Sequence, residues 1–180
     1  MNPLFFDIET HSTGERPKYD DKIIAIAYKT PDTPVTVLKE WETDEKQILK
    51  TFLQELRTRQ SLVLAGHNIL RFDIPVIIRR AHRHRLASLE DLMCLTLNAY
   101  PIDTLQCLLP TNNLYFKGLG LRDCVQRLGI QSATCPSSEI ITHYEAGNYA
   151  EIVERVTEDI LNTEKLFNAI KERNLETSPN

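Results

Sequence analysis

Two carboxylates stand one residue apart at the inner end of the first apolar run of the chain. Asp7 and Glu9 lie in "LFFDIETHST" (4–13), where "LFFDI" has the nearly continuous apolar pattern of a buried strand. Residues i and i+2 of a strand point to the same face, so both acids project together. Like charges this close raise each other's pKa unless a cation lies between them. The pair indicates either a bound cation or a strand that ends in solvent, and a D-x-E pattern alone does not decide.

Two further acids occupy positions from which they could complete a cation site. In "GHNILRFDIPVI" (66–77), Asp73 follows a predicted strand and opens a predicted helix, where Asp is also a common N-cap. In "RVTEDILNTEKLF" (155–167), Asp159 lies inside the last predicted helix, where an acid usually faces solvent. A further acid, Asp103 in "PIDTLQ", is interpreted as a capping or supporting residue.

The apolar patterns place these acids on an α/β scaffold. Strands are predicted at 4–8, 23–29, 33–41 and 61–68, and the first three form an antiparallel meander because polar turns separate them. Helices are predicted at 43–59, 73–86, 117–130 and 149–173, whereas 86–117 shows only short helical pieces. This order predicts an α/β domain with a mixed sheet over residues 1–173, followed by a frayed tail at 174–180.

The composition limits the classes of function. The net charge of −4 differs from the basic excess of proteins that bind nucleic acid mainly through its backbone, so any such contact is expected to be local. No apolar stretch is long enough to predict a membrane span, and the four scattered cysteines lack metal-binding spacing. A cytoplasmic location is therefore the expectation.

One dense basic run offers a local contact. "RRAHRHR" (79–85) is either the solvated face of a helix or, through Arg79 and Arg80, a patch that contacts a nucleic-acid backbone. No series of aromatic residues indicates a platform for stacked bases.

Three stretches together resemble a known family. "FDIET", "GHNILRFD" and "EDILNTEKLF" look like the three motifs of the DEDD superfamily of 3′–5′ exonucleases, in particular the proofreading domain of family-B DNA polymerases and its standalone relatives. "PIDTL" and "KGLGLRDCVQRLGI" fit the segment between the second and third motifs. The resemblance implies an RNase H-like fold, with helices flanking a mixed five-stranded sheet. It also implies hydrolysis at the 3′ end of single-stranded nucleic acid. DNA is the expected substrate, and no residue of the sequence identifies a contact with the 2′ hydroxyl that separates RNA from DNA.

The same resemblance implies a site. Its metal ligands would be Asp7, Glu9, Asp73 and Asp159. A ligand set made only of oxygen suits two Mg²⁺ or Mn²⁺ ions better than zinc. Two-metal hydrolysis would follow, in which one ion activates water and the other stabilises the leaving 3′ oxygen. Asn68 and Phe72 would shape the groove for the terminal nucleotides, and His67 would be structural.

The third motif departs from the family pattern. Active members carry a Tyr four residues before the last Asp or a His five residues before it, and this chain has Arg155 and Glu154 there. Arginine stays protonated and cannot act as a base. His143 and Tyr144, in a predicted loop, could reach inward.

Three interpretations of this departure stay open. In the first, Glu154 replaces the base, or the ions suffice and Arg155 stabilises negative charge on the phosphate. In the second, the chain is catalytically impaired and binds nucleic-acid ends or a protein partner. In the third, Arg155 is an i,i+4 partner of Asp159, which would leave Asp159 less available to metal. We expect an active exonuclease because all the acids are present, and a homo-oligomer is compatible with the sequence.

Overall fold

A five-stranded mixed sheet with helices on both faces forms the centre of the protein. The computed structural model describes residues 3–12, 18–59, 63–131 and 135–176. The strands are β1 (Pro3–His11), β2 (Lys22–Lys29), β3 (Thr36–Lys39), β4 (Val63–Gly66) and β5 (Tyr100–Asp103). Their order is β3-β2-β1-β4-β5. The first three strands form the predicted antiparallel meander, and β4 and β5 add parallel strands beside β1. The predicted α/β class with a mixed five-stranded sheet is confirmed.

Helices of the described residues cover both faces of this sheet. They are α1 (Glu45–Arg57), α2 (Asp73–Arg83), α3 (Leu89–Asn98), α4 (Thr104–Leu108), α5 (Leu121–Gln126), α6 (Ile140–Glu145) and α7 (Tyr149–Glu176), and α5 packs against α7. Short 3₁₀ turns lie at Glu40–Glu42, Leu109–Asn112 and Ser137–Glu139. The N-cap of α1 is Asp44, whose side chain accepts a hydrogen bond from the backbone N–H of Gln47 at 2.7 Å.

The alternation of β1 decides which way its acids point. Leu4, Phe6 and Ile8 belong to the core between the sheet and the helices α1 and α2. Phe5 points to the opposite face and packs edge-on against Phe167 of α7, with ring centroids 5.4 Å apart. Asp7 and Glu9 continue the face of Phe5. Both acids are therefore directed toward the side of the sheet that α7 covers.

The segments that were hardest to interpret from the sequence contain both a strand and a helix. β5 has the sequence "YPID", which carries a proline and little apolar character, as an edge strand tolerates. The predicted loop around His143 and Tyr144 is wrong, because these residues lie in α6. α5 is shorter than the predicted 117–130, and Gly118 and Gly129 on either side of it have positive φ. α7 continues to Glu176, and residues 177–180 lie outside the described residues.

Candidate active site

Acids from the two ends of the chain meet in one open cleft. Asp7 and Glu9 of β1 and Asp159 of α7 each place a carboxylate oxygen within 4.8 Å of the others. The cleft has a volume of about 680 Å³, and Asp73, the first residue of α2, also lines it. The four acids predicted as metal ligands thus share a cleft, although among the described residues only the first three form the tight group.

Asp73 holds the end of β1 rather than capping its own helix. The pairing of β4 with β1 ends at Phe5, and the backbone N–H of Ile8, further along β1, donates to Asp73 Oδ1 at 3.1 Å. The N-cap of α2 is Phe72, so the interpretation of Asp73 as an N-cap is wrong. Asp73 is 3% exposed, and its carboxylate ties the start of α2 to the strand that carries the other acids.

The cleft holds more negative charge than its surroundings neutralise. Burial raises the pKa of Glu9 to about 7 even though Arg155 acts in the opposite direction. Burial, with further repulsion from Glu9, likewise raises the pKa of Asp73 to about 7. Burial and then the neighbouring carboxylates raise the pKa of Asp7 well above its usual value, and burial also raises the pKa of Asp159. Burial is the largest cause of each shift, and repulsion from neighbouring carboxylates adds to it.

Arg155 is the cation that the folded chain itself places among these acids. Its Nε donates to Glu9 Oε1 at 2.9 Å, and its Nη2 lies 3.0 Å from Asp159 Oδ2. Its Nη1 donates to the backbone carbonyl of Cys135 at 2.5 Å. The ion pair with Asp159 that one interpretation predicted is present, and it extends to Glu9 across the cleft. One guanidinium therefore bridges a strand acid and a helix acid.

The turn after β4 presents an unsatisfied oxygen to the cleft. Asn68 has a left-handed φ of 66°, and its Oδ1 is buried without a hydrogen-bond partner among the described residues. Asp103 fixes the turn by accepting from the backbone N–H groups of Asn68 at 2.8 Å and Leu70 at 3.0 Å. Asp103 also accepts from the N–H of Leu105 as the N-cap of α4, so its predicted capping and supporting role is confirmed.

His67 supports the same wall of the cleft. Its Nε2 donates to the carbonyl of Leu119 at 2.7 Å, and its Nδ1 lies 2.9 Å from the Thr104 hydroxyl. Burial lowers the pKa of His67, which favours the neutral ring. These contacts agree with the predicted structural role. Phe72, predicted to shape the groove, lines the cleft and packs against the main core.

Other predicted site residues lie away from the cleft. Glu154 is exposed and is absent from the cleft lining. Arg79 forms an ion pair with Asp20. Arg80 is 8% exposed and is paired with Glu45. Contact of these two arginines with nucleic acid stays a prediction, and the geometry of Arg80 favours a structural role.

One wall of the cleft was missed from the sequence. Ser137 and Ser138 of the 3₁₀ turn, followed by Ile140 and Ile141 of α6, line the cleft. α6 has only six residues and no side chain caps its start, so the usual sequence signal of a helix start is absent. No local pattern shows that this helix would face β1. Nor does any pattern predict the carbonyl of Cys135 as an anchor for Arg155.

A family model described as the RNase H superfamily matches residues 4–171, a range that contains β1, the start of α2 and the acid of α7. The chain belongs to the RNase H superfamily. The predicted resemblance to RNase H-like proteins is confirmed. Membership of this superfamily supports a nuclease-like function.

A solved structure shows the same fold. The family B DNA polymerase from the hyperthermophilic archaeon Pyrobaculum calidifontis is similar with a TM-score of 0.72 and 16% sequence identity. The similarity covers 94% of this RNase H-superfamily chain and 24% of the polymerase chain. At this identity the likeness establishes the fold alone. No match was found among curated proteins.

The cleft of this RNase H-superfamily member fits a divalent cation. Members of the superfamily usually use divalent metals, and the donors gathered here are carboxylate oxygens with an orphaned amide oxygen from Asn68. Hard cations such as Mg²⁺ and Mn²⁺ prefer such ligands. Within the described part of the chain, no helix is both long and apolar enough to cross a membrane.

Proposed function

We propose that the protein is a divalent-metal-dependent 3′–5′ exonuclease acting on single-stranded nucleic acid, with DNA preferred to RNA. The observation that carries this proposal is the convergence of acids around the guanidinium of Arg155 in an open cleft. An ion pair alone would balance one acid, and the remaining charge calls for further cations. A cytoplasmic location and a homo-oligomeric state stay predictions from the sequence.

The proposal assigns each acid a part in binding metal. The groups that would hold two Mg²⁺ or Mn²⁺ ions are Asp7, Glu9, Asp73 and Asp159, with Asn68 Oδ1 near them. Such ions, when bound, supply an activated water and stabilise the leaving 3′ oxygen. Glu9 and Asp159 can give all their oxygens to metal only if Arg155 releases them. A released Arg155 stays charged and close enough to the cleft to bind a phosphate oxygen.

The cleft offers little help from a general base. Arg155 cannot accept a proton, and Glu154 lies outside the cleft. The one histidine of the described lining is His67, whose two nitrogens contact Leu119 and Thr104. General-base help typically contributes about 10²–10⁴-fold. We therefore propose that turnover depends on the ions and is slow.

A second candidate function is favoured by the contacts of Arg155. A guanidinium already seated between Glu9 and Asp159 competes with metal for those ligands. A protein with this arrangement could bind nucleic-acid ends without cutting them. In that case Arg155 would serve as a permanent cation that attracts the terminal phosphates.

Hydrolysis of a labelled strand distinguishes the two candidates. A short single-stranded oligonucleotide with a 5′ label is incubated with Mg²⁺ or Mn²⁺, and we expect a ladder that shortens from the 3′ end. A covalently closed single-stranded circle should stay intact. Asp7→Asn should abolish the ladder, whereas Asp20→Asn, the same change at a half-exposed acid paired with Arg79, should preserve it.

Three outcomes would count against the exonuclease. Equal activity of the Asp7→Asn variant and the unaltered chain would refute the site. Cutting of the circle would indicate an endonuclease. Binding without cutting by the unaltered chain in both metals would support the second candidate.

A further inference from the structure

A short segment beside the cleft exposes three consecutive large apolar side chains. Leu114 and Tyr115 are each 70% exposed and Phe116 is 45% exposed. The segment lies between the 3₁₀ turn that ends at Asn112 and the start of α5. Contiguous apolar groups on a protein surface commonly mark a binding site.

The backbone of this segment is held in place. Asn113 and Leu114 both have left-handed φ, 51° and 63°, a conformation that leucine rarely adopts. The N–H of Leu114 donates to Leu109 O at 2.9 Å, and the N–H of Tyr115 donates to Asn112 O at 3.0 Å. The side-chain amide of Asn112 donates to the carbonyls of Tyr115 and Lys117. A strained conformation held by several bonds indicates that the display of these side chains is built into the fold.

The exposed segment is joined to the turn that lines the cleft. The guanidinium of Arg71 lies over the ring of Phe116, 4.2 Å from the centroid. Arg71 stands between Leu70, whose N–H is bound by Asp103, and Phe72, which lines the cleft. The segment therefore lies against the turn whose next residue, Phe72, lines the cleft.

Positive charge accompanies the aromatic rings, although the whole chain carries −4. Lys117 is exposed next to Phe116, and Arg127 Nη2 donates to the carbonyl of Gly118 at 2.8 Å. Arg122 at the start of α5 acts to lower the pKa of Asp159, although burial raises that pKa overall, so it adds a positive charge to this side of the molecule. Cations beside exposed aromatic rings match the phosphates and bases of a nucleic-acid strand.

We propose that Leu114, Tyr115 and Phe116, together with Arg71, form a stacking platform for unpaired bases of a single strand. The inference rests on the proposed function only in assuming that the 3′ end of that strand lies in the cleft. Bases upstream of the end would stack on Tyr115 and on the Arg71–Phe116 pair, while Lys117 contacts the backbone. A peptide partner would bind this surface less tightly than a nucleic-acid strand, because the cations of the surface match phosphate groups.

Binding to strands with and without bases tests the platform. Fluorescence anisotropy is measured on Asp7→Asn chains, which the proposed function expects to be inactive, with oligothymidylate and with an abasic strand of equal length. Tyr115→Ala and Phe116→Ala should each weaken oligothymidylate binding at least about fivefold, the lower end for loss of one stacked base. Affinity for the abasic strand should not change.

A matched control is available at the other end of β5. Tyr100 is also 70% exposed, but it begins β5, whereas Asp103 at the end of that strand binds the turn of the cleft. Tyr100→Ala should leave both affinities unchanged. An oligouridylate strand with the same sensitivity to Tyr115→Ala would extend the platform to RNA.

Several results would overturn the inference. The affinity for oligothymidylate could be unchanged in both Tyr115→Ala and Phe116→Ala. The affinity for the abasic strand could fall as much as that for oligothymidylate, or Tyr100→Ala could weaken binding equally. A variant that alters only the sedimentation coefficient would show instead that this face joins two copies of the chain. Thermal unfolding of each variant checks that the fold is intact.

The binding test of the platform and the hydrolysis test of the exonuclease can fail independently of each other. If the unaltered chain cuts nothing while Tyr115→Ala still loses base-dependent affinity, the platform stands and the exonuclease fails. If the chain cuts and neither variant changes binding, the platform alone fails.

Discussion

Two clusters in this protein each pair an arginine with a buried glutamate, and they differ in charge balance. Arg80 Nε donates to Glu45 Oε1 at 2.6 Å, and the same carboxylate accepts from the N–H of Ile23 at 2.8 Å. His84 Nε2 lies 2.7 Å from the other oxygen, Oε2. Although burial acts in the opposite direction, hydrogen bonds from Arg80 and His84 hold the pKa of Glu45 below its usual value.

In the cluster around Glu45 two basic side chains bind one carboxylate, whereas in the cluster around Arg155 one guanidinium meets several carboxylates. The guanidinium of Arg155 meets Glu9 and Asp159 and lies near Asp7, and burial with repulsion raises the pKa of each acid. An arginine–carboxylate pair therefore does not by itself indicate function. A surplus of acids in an open cleft distinguishes a candidate metal site from a closed structural ion pair.

The largest effect expected is the loss of hydrolysis in Asp7→Asn. Removing one ligand of the cluster should lower the rate by at least about 10³-fold, since metal-assisted charge stabilisation is worth several kcal/mol. The same change should raise the melting temperature of the metal-free protein at pH 8, because it removes repulsion among the acids. A variant that lost both activity and metal-free stability would contradict the comparison.

Glu45→Gln should have the opposite profile. Leaving Arg80 buried without its charge partner should reduce the free energy of unfolding by about 3–5 kcal/mol, measured by urea denaturation without metal. The affinity for Mn²⁺ should stay unchanged, because Glu45 lies outside the cleft lining. A fall in Mn²⁺ affinity at a temperature where the variant is folded would mean that the two clusters are coupled.

Arg155→Gln should sharpen the difference between the clusters. It frees Glu9 and Asp159 from their resident cation, so Mn²⁺ affinity by titration calorimetry should rise at least about tenfold, or about 1.4 kcal/mol. Without metal the variant should melt at a lower temperature than the unaltered chain. Arg80→Gln, the matched change in the closed cluster, should destabilise the fold without tightening metal binding. Weaker Mn²⁺ binding in Arg155→Gln would show that Arg155 supports the site.

The smallest effect expected is the pH dependence of the metal-free protein. The pKa values of Glu9 and Asp73 are raised to about 7, so folding favours their protonated forms. Their contribution is fully present below the ordinary carboxyl pKa, near 4, and is lost as pH rises through about 7. We expect the difference in melting temperature between Asp7→Asn and the unaltered chain to widen from pH 5 to pH 8.

Saturating Mn²⁺ should reduce the difference in melting temperature between Asp7→Asn and the unaltered chain, since Mn²⁺ binds ionised carboxylates. A gap that stayed constant with pH in the absence of metal would contradict the raised pKa values.

Much of the scaffold followed from patterns within short windows of sequence. The apolar run around Phe5 and the helical spacing of α1 predicted their elements because burial on one face imposes a period of 2 or 3.6 residues. β5 and α6 were not predicted, because "YPID" and "IITHYE" are short and have weak apolar periodicity. The acids were found through residue type and motif order, which tertiary packing does not change.

The sequence by itself determined that Asp7 and Glu9 share one face of a strand and that Asp159 lies four residues after Arg155 on a helix. Only the tertiary structure decided that Arg155 also reaches Glu9, that Glu154 points away, and that Arg71 covers Phe116. The physical reason is separation along the chain. Glu9 and Arg155 are 146 residues apart, and only the packing of α7 on the sheet brings them within hydrogen-bond distance.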